Sequence, residues 1–313
     1  MNDVNLYSKR FVLFSGKGGV GKSTIASAFA LSCARRGERT LLMEMNTQDK
    51  VSAMFGVDTV GTEITEIEPN LFAVNVTPAA AMEEYAVMML KVRVIYRAIF
   101  ENRIMRAFLR AIPGLNELVM LGKAYFHVTE EENGRHVWDK IVLDAPATGH
   151  GIFLLQIPNV IMSILSSGHM FEEAQKISDL MRDPKITVLN LVTLAEEMPV
   201  NETAMLHDRV SQEIGMPMGV VIANGLYGRQ FSEEELSLLE AAQKDVREPA
   251  VSRMIDAARF RVQRANLQEK YLHEIDETIK LPRIDVPFVF VPQMNSEALA
   301  QIATAFSSAA EDK

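Results

Sequence analysis

The sequence predicts an α/β protein: a doubly wound, mostly parallel sheet with helices on both faces, plus a helical subdomain formed by insertions. Three observations predict it. Short apolar runs at 11–14, 40–43, 71–76, 187–192 and 219–224 alternate with segments of helical periodicity. A glycine-rich turn at 16–21 joins the first run directly to an alanine-rich helical pattern. A further apolar run, Trp138–Asp144, ends on an aspartate. No linker, repeat or low-complexity stretch divides the 313 residues. We therefore expect a single domain over 1–313, with helical insertions at about 79–136 and 152–183.

Composition narrows the class. Hydrophobic residues make up 48% and charged residues 23%, the balance of a soluble globular chain able to bury a large core. A net charge of −9 argues against a general nucleic-acid face, and no nucleic-acid partner is expected. Residues 1–10 contain no apolar signal region, so a cytoplasmic location is expected. Cys33 is the only cysteine, which excludes an intrachain disulfide and any cysteine-pair metal site within one chain. From Ala145 to Met170 there is no Asp, Glu, Lys or Arg, a length that could cross a bilayer. His150 and Gly151 open that stretch and Gln156, Pro158 and Asn159 interrupt it. It reads as a buried or groove-lining helix, not a transmembrane segment.

The first element is a strand over Phe11–Phe14. The turn after it, Gly16-Lys-Gly-Gly-Val-Gly-Lys-Ser-Thr24, matches G-x-x-x-x-G-K-[ST] in full, and a helix over Ile25–Arg36 follows. Gly16, Gly18, Gly19 and Gly21 let the backbone turn its N–H groups inward, so that the loop, with Val20 and Thr24, can cradle phosphate oxygens at a helix N-terminus. Lys22 can bridge the β- and γ-phosphates, and the Ser23 hydroxyl can join the shell of Mg²⁺. The cofactors this loop implies are a nucleoside triphosphate and Mg²⁺; the resemblance described below makes the nucleotide ATP.

Gly37 is a candidate C-cap, and Thr40–Met43 reads as the second strand. Glu44–Asp49 and the segment to Gly56 follow as a candidate switch. Leu71–Val76 is the next strand, ended by Thr77-Pro78. A helical region runs from about Ala79 to Phe126, broken at Pro113-Gly114. Its wide apolar stripe includes Tyr85, Met88, Val92, Ile95 and Ile99, and Arg93, Arg97, Arg103 and Arg106 lie between. The arginines read as a solvated face above a core stripe, the alternative being a basic amphipathic surface for a membrane or an acidic partner. Met82, Met88, Met89, Met105 and Met120 suit either a core or a groove for an apolar protein client.

Trp138–Asp144 has the Walker B pattern, with Asp144 able to hold the Mg²⁺ shell through water. Ala145-Pro-Ala-Thr-Gly-His-Gly151 follows as a loop. Thr187–Val192 is a strand, Val200–Ile214 a helix, and Gly219–Asn224 a strand whose C-terminal end is where this fold places ligand contacts. A helical stretch runs from Ser232 to Lys280, Val286–Val291 closes the sheet, and the last helix spans Ser296–Ala310.

The strings GKGGVGK at 16–22 and DAPATGHG at 144–151 resemble those of ArsA-like P-loop ATPases, the bacterial anion-transporting and tail-anchored-protein-targeting family of the deviant Walker A group. Pro113-Gly-Leu-Asn-Glu117 is similar to a further family string, with asparagine in place of aspartate. The resemblance covers nearly the whole chain. It implies a dimer in which Lys17 reaches the partner's phosphates. It implies a second switch at Ala145, Pro146, Thr148, Gly149 and His150 that senses the γ-phosphate. It also implies that Asn224 reads the adenine edge and that Pro292 packs beside the base. In the first switch, aligned on Ser52 and Phe55-Gly56, the family's two aspartates fall on Glu44 and Asn46. The second of these positions the attacking water, a task an amide cannot perform as a base. Asp49 stands close enough in sequence to be a substitute.

The reading that follows is an ATP-binding dimeric ATPase switch that couples binding and hydrolysis to movement of a helical client surface, with Lys17, Lys22 and the Asn46 position as the catalytic set. The alternative is a nucleotide-binding subunit of impaired turnover that works with a paralogue, as a heterodimer. A third, a positioning ATPase of the MinD/ParA kind, calls for a basic C-terminal amphipathic helix or a basic DNA face, and the tail carries neither. A single Cys33 reproduces neither the metalloid-binding cysteine cluster nor the paired-cysteine zinc bridge that the resemblance offers for particular branches.

Overall fold

The strand Phe11–Ser15 (β1) is apolar at every position but its last, and it is buried along its whole length. Side chains alternate across a strand, so Phe11 and Leu13 enter one core and Val12 and Phe14 another. A sheet with two buried faces needs helices on both, and that is the architecture in the computed structural model, which describes residues 6–45, 48–90, 114–146, 148–243 and 248–311.

The strands are β1, Thr40–Met45 (β2), Thr65–Glu68 (β3), Leu71–Val76 (β4), Glu131–Glu132 (β5), Arg135–His136 (β6), Lys140–Asp144 (β7), Thr187–Leu194 (β8), Met218–Leu226 (β9) and Arg283–Pro287 (β10). Eight of them form one sheet in the order β10-β9-β8-β1-β7-β2-β4-β3. All its pairings are parallel except the antiparallel β3–β4 edge. The expected doubly wound α/β class is the one observed. Helices are Lys22–Arg35 (α1), Val51–Phe55 (α2), Pro78–Leu90 (α3), Leu115–Thr129 (α4), Thr148–Ile164 (α5), His169–Arg182 (α6), Glu197–Arg209 (α7), Glu233–Gln243 (α8), Pro249–Thr278 (α9) and Ser296–Glu311 (α10).

One face is covered by α1, α2 and α10. Helix α1 is buried almost all round, and its Phe29 packs edge-on against Phe306 of α10, with ring centroids 5.3 Å apart. The other core takes Leu118, Val119 and Leu121 of α4, Leu154, Leu155, Ile157 and Ile161 of α5, Ile177 of α6, and Tyr271 and Ile275 of α9. The uncharged stretch before Met170 is thus mostly a buried helix, as its interruptions suggested. No helix among the described residues is long and apolar enough to cross a membrane. Met120 faces the core, so it lines no groove.

Several boundaries differ from the sequence reading. The last strand is 283–287, not 286–291. Phe288 still donates its N–H to the Leu226 carbonyl. Beyond the strand Phe288 stacks on Tyr227 at 5.1 Å, and Phe290 meets the same ring edge-on at 5.9 Å. The stretch 232–280 is not one helix: α8 ends at Gln243 and α9 starts afresh at Pro249, where a proline fits the first turn. Helix α7 begins at Glu197, three residues before the expected start, and continues as a π-helical turn through Ile214. The edge strand β3 and the β5–β6 hairpin were not read from the sequence. The hairpin turns on Asn133-Gly134, both at positive φ, a dipeptide suited to such a turn. The expected basic face at Arg93, Arg97, Arg103 and Arg106, together with Met105 and Pro113, lies outside the described residues.

Candidate functional site

Parallel strands place all their C-terminal ends on one edge of the sheet, and the chain reverses direction of strand order between β1 and its neighbours there. The loop 16–21 leaves β1 at that edge. Gly21 caps α1 in the left-handed region, φ 91°, and a Cβ on it would overlap the Asn224 amide, so only glycine serves. Asn224 in turn donates its Nδ2 hydrogen to the Val20 carbonyl at 2.9 Å, which ties β9 to the loop. One of its amide hydrogens is therefore already in use. The strand also runs two residues beyond it, to Leu226, so Asn224 sits just inside the strand's end.

Lys22 is buried, and its Nζ donates to the Lys17 carbonyl at 2.8 Å, curling the lysine back over the loop. Burial pushes its pKa down, opposed by the nearby Asp144 carboxylate. Ser23 hydrogen-bonds Asp144, so two residues far apart in sequence meet. Asp144 closes β7 at 3% exposure, and burial raises its pKa against the Ser23 bond and the Lys22 charge. Its Oδ1 is buried without a protein partner. A hydroxyl beside a shielded carboxylate with an unsatisfied oxygen is a donor set suited to a hard cation such as Mg²⁺.

Glu44 is buried within the sheet. We expected it in the switch loop, but β2 extends through Met45 and carries it inside the sheet at 0% exposure. It lies in register with Asp144 on the neighbouring strand. Its Oε1 accepts the Lys50 N–H at 3.3 Å, and its Oε2 has no protein partner. Burial pushes its pKa up to about 7, with the Asp144 and Asp49 charges adding to the rise and the Lys50 bond opposing it. A glutamate inside the apolar run Leu41-Leu-Met-Glu-Met45 was the available signal. Asn46 itself lies outside the described residues.

Asp49 has another occupation. Its Oδ1 accepts the Ser52 N–H at 3.0 Å and its Oδ2 accepts the Val60 N–H at 2.8 Å. Both oxygens thus brace the loop around α2.

Lys17 forms an ion pair with Glu202 of α7 at 2.8 Å, both side chains being half-exposed. Glu202 carried no sequence signal, because the two residues stand 185 positions apart. In the second expected switch, Ala145 is buried and its N–H donates to the Phe14 carbonyl at 3.1 Å, while Pro146 is half-buried. The string was expected to be a loop throughout. Instead Thr148, Gly149 and His150 already belong to the first turn of α5, and for them the backbone alone is described. Gly151 packs close under the preceding turn: a Cβ there would come within 2.7 Å of the Pro146 carbonyl oxygen and 3.3 Å of Ser15 Oγ. Pro292 lies on the exposed turn between β10 and α10, at the same edge of the sheet.

The family model for anion-transporting ATPases matches residues 9–168 and 163–305 of the chain. Among curated relatives, the ATPase BagA of Mycobacterium tuberculosis is 29% identical over 245 residues, spanning 76% of this chain and 70% of its own. A putative arsenical pump-driving ATPase of Halobacterium salinarum is 29% identical over 307 residues, 92% of this chain but 42% of that protein. The arsenical pump-driving ATPase of Escherichia coli is 27% identical over 236 residues, 69% of this chain and 39% of its own.

Proposed function

The chain belongs to the anion-transporting ATPase family, and from that premise we propose that it is an ATP-binding switch that closes as a dimer around nucleotide and Mg²⁺. The observation that carries this reading is the meeting of Lys22, Ser23 and Asp144 at the C-terminal edge of the sheet. The inward-turned N–H groups of 16–24 bind and orient the phosphates. Lys22 would turn from the Lys17 carbonyl to donate its N–H groups to the β- and γ-phosphate oxygens. Ser23 and, through water, Asp144 would hold Mg²⁺, which when bound neutralises charge on those phosphates. Lys17 leaves Glu202 and reaches the phosphates of a second protomer. Asn224 anchors the loop through Val20 and leaves the rest of its amide for the adenine edge, with Pro292 beside the base. The second-switch string, with Gly151 close to Ser15 and its later residues in the first turn of α5, would pass the state of the γ-phosphate to the helices on that face. ATP then shifts an existing open-to-closed equilibrium by binding the closed form more tightly.

A second reading rests on Asn46. An amide stands at the aligned water-positioning site, and both oxygens of Asp49 are engaged in bracing their own loop. On this reading the chain binds nucleotide, turns it over poorly, and works with a paralogue that supplies the water-positioning group. The exposed Phe126, Phe153 and Ile164, on α4 and α5, are compatible with an apolar protein client.

One set of measurements separates the readings: equilibrium binding of ATP, and turnover by the wild type alone, with a candidate paralogue, and by Asn46→Asp. The switch requires ATP binding that Lys22→Ala abolishes. Turnover by the isolated wild type equal to that of Asn46→Asp removes the impaired-subunit reading. An increase on the order of 10²-fold or more in Asn46→Asp supports it.

A further inference from the structure

Glu44 and Asp144 present an unusual pairing inside a sheet. They occupy the same register on adjacent strands, both are buried, and each keeps one oxygen, Oε2 and Oδ1, that no protein group satisfies. Buried polar atoms in native proteins almost always have partners, and an unpaired buried carboxylate is costly. The neighbouring cationic groups are Lys22 and Lys50, and Lys22 is directed to the Lys17 carbonyl. Both lysines offset part of the negative charge, yet neither gives a hydrogen bond to Glu44 Oε2 or Asp144 Oδ1. Among the described residues no group of three or more His, Cys, Asp or Glu side chains is arranged to hold a metal ion. A cation that arrives with further oxygen ligands of its own would satisfy both oxygens.

We propose that Glu44 is a second acidic member of the divalent-cation shell, orienting with Asp144 the water molecules around the Mg²⁺ that enters with the nucleotide. This rests on the nucleotide-binding reading above, and it assigns Glu44 a role in holding the cation, not in removing a proton from the attacking water. Mg²⁺ keeps several of its waters and needs acceptors that fix them, which is the chemistry two buried carboxylate oxygens provide. The nucleotide's phosphates complete the coordination, so the protein alone should hold the cation weakly.

The test uses Mn²⁺ as the probe, read by its electron paramagnetic resonance signal, with a nonhydrolysable ATP analogue and the full chain. Glu44→Gln should weaken Mn²⁺ binding to the analogue complex by roughly tenfold or more, in the range found when a residue supporting a metal ligand is lost. Affinity for the analogue in the presence of a chelator should stay within about twofold of the wild type, since the cradle itself is untouched. Glu44→Asp, which retains the charge, should recover part of the Mn²⁺ affinity. Glu44→Met, apolar and similar in length, should show the same loss as Glu44→Gln and serves if that variant does not fold. Wild-type Mn²⁺ affinity in either neutral variant overturns the proposal, and so does a Glu44→Asp protein no better than the neutral ones. If instead the wild type binds no analogue with or without Mn²⁺, the nucleotide reading itself has failed, a result distinct from any of these.

Discussion

Lys17 and Glu202 meet at 2.8 Å across 185 positions of sequence, so the loop lysine is held by its own chain at the mouth of the phosphate loop. A half-exposed pair of this kind contributes about 0–1 kcal/mol and is screened by salt. Its consequence lies in availability: while the pair stands, the ammonium is not directed at a neighbouring protomer. Glu202→Gln should leave thermal stability nearly unchanged. It should lower the protein concentration needed for nucleotide-dependent association by up to about fivefold, the equivalent of roughly 1 kcal/mol. Sedimentation with a nonhydrolysable ATP analogue measures this. Unchanged association in Glu202→Gln, alongside its loss in Lys17→Ala, would show that the pair holds nothing back.

Asn224 provides a second expectation. Its amide hydrogen bond to the Val20 carbonyl fixes the crest of the loop. Asn224→Ala should cost about 1 kcal/mol of stability and weaken nucleotide binding, because the cradle loses its support from β9. Asn224→Asp should be worse, since it sets a carboxylate against the Val20 carbonyl oxygen. Nucleotide titrations of the two variants, compared with their melting temperatures, check the order.

The pH dependence of stability follows from Glu44. Its folded pKa lies near 7, above the ordinary 4.5, so the folded chain holds this proton more tightly than the unfolded one. Below the ordinary value both states are protonated and the group is neutral in its effect. As pH rises from there toward 7 the unfolded chain releases the proton first, and stability falls, by on the order of 3 kcal/mol across the window. The nucleotide-free protein should therefore melt higher at pH 5 than at pH 7.5 from this group, and Glu44→Gln should remove part of that slope. An identical slope in the variant would contradict the assignment.

Gly151 packs tightly against the turn that precedes α5. A methyl group there would press on the Pro146 carbonyl oxygen at 2.7 Å. Gly151→Ala should destabilise by about 1–3 kcal/mol, as overpacking of a tight contact does, with the loss visible in a denaturant titration. It should also displace the 145–150 segment that α5 continues, so nucleotide-dependent changes in proteolysis of α5 should be altered.

Much of this protein was legible in its residues alone. The alternation of apolar runs and helical patterns is a local property, and so is the G-x-x-x-x-G-K-[ST] string. Together they determined the doubly wound α/β class, the phosphate loop and the aspartate at the end of a buried strand. Tertiary structure decided what depends on contacts between distant segments. Strand pairing moved Glu44 out of the expected loop and set it beside Asp144, because β2 pairs with β7 as far as that register. Loop bracing by Ser52 and Val60 committed Asp49, and the packing of α7 over the loop gave Lys17 its partner. β10 ends at Pro287, earlier than its hydrophobicity suggested, and Phe288 after it stacks on Tyr227. Sequence pattern reports which faces must be buried; which charges end up facing one another is fixed only when the strands and helices come together.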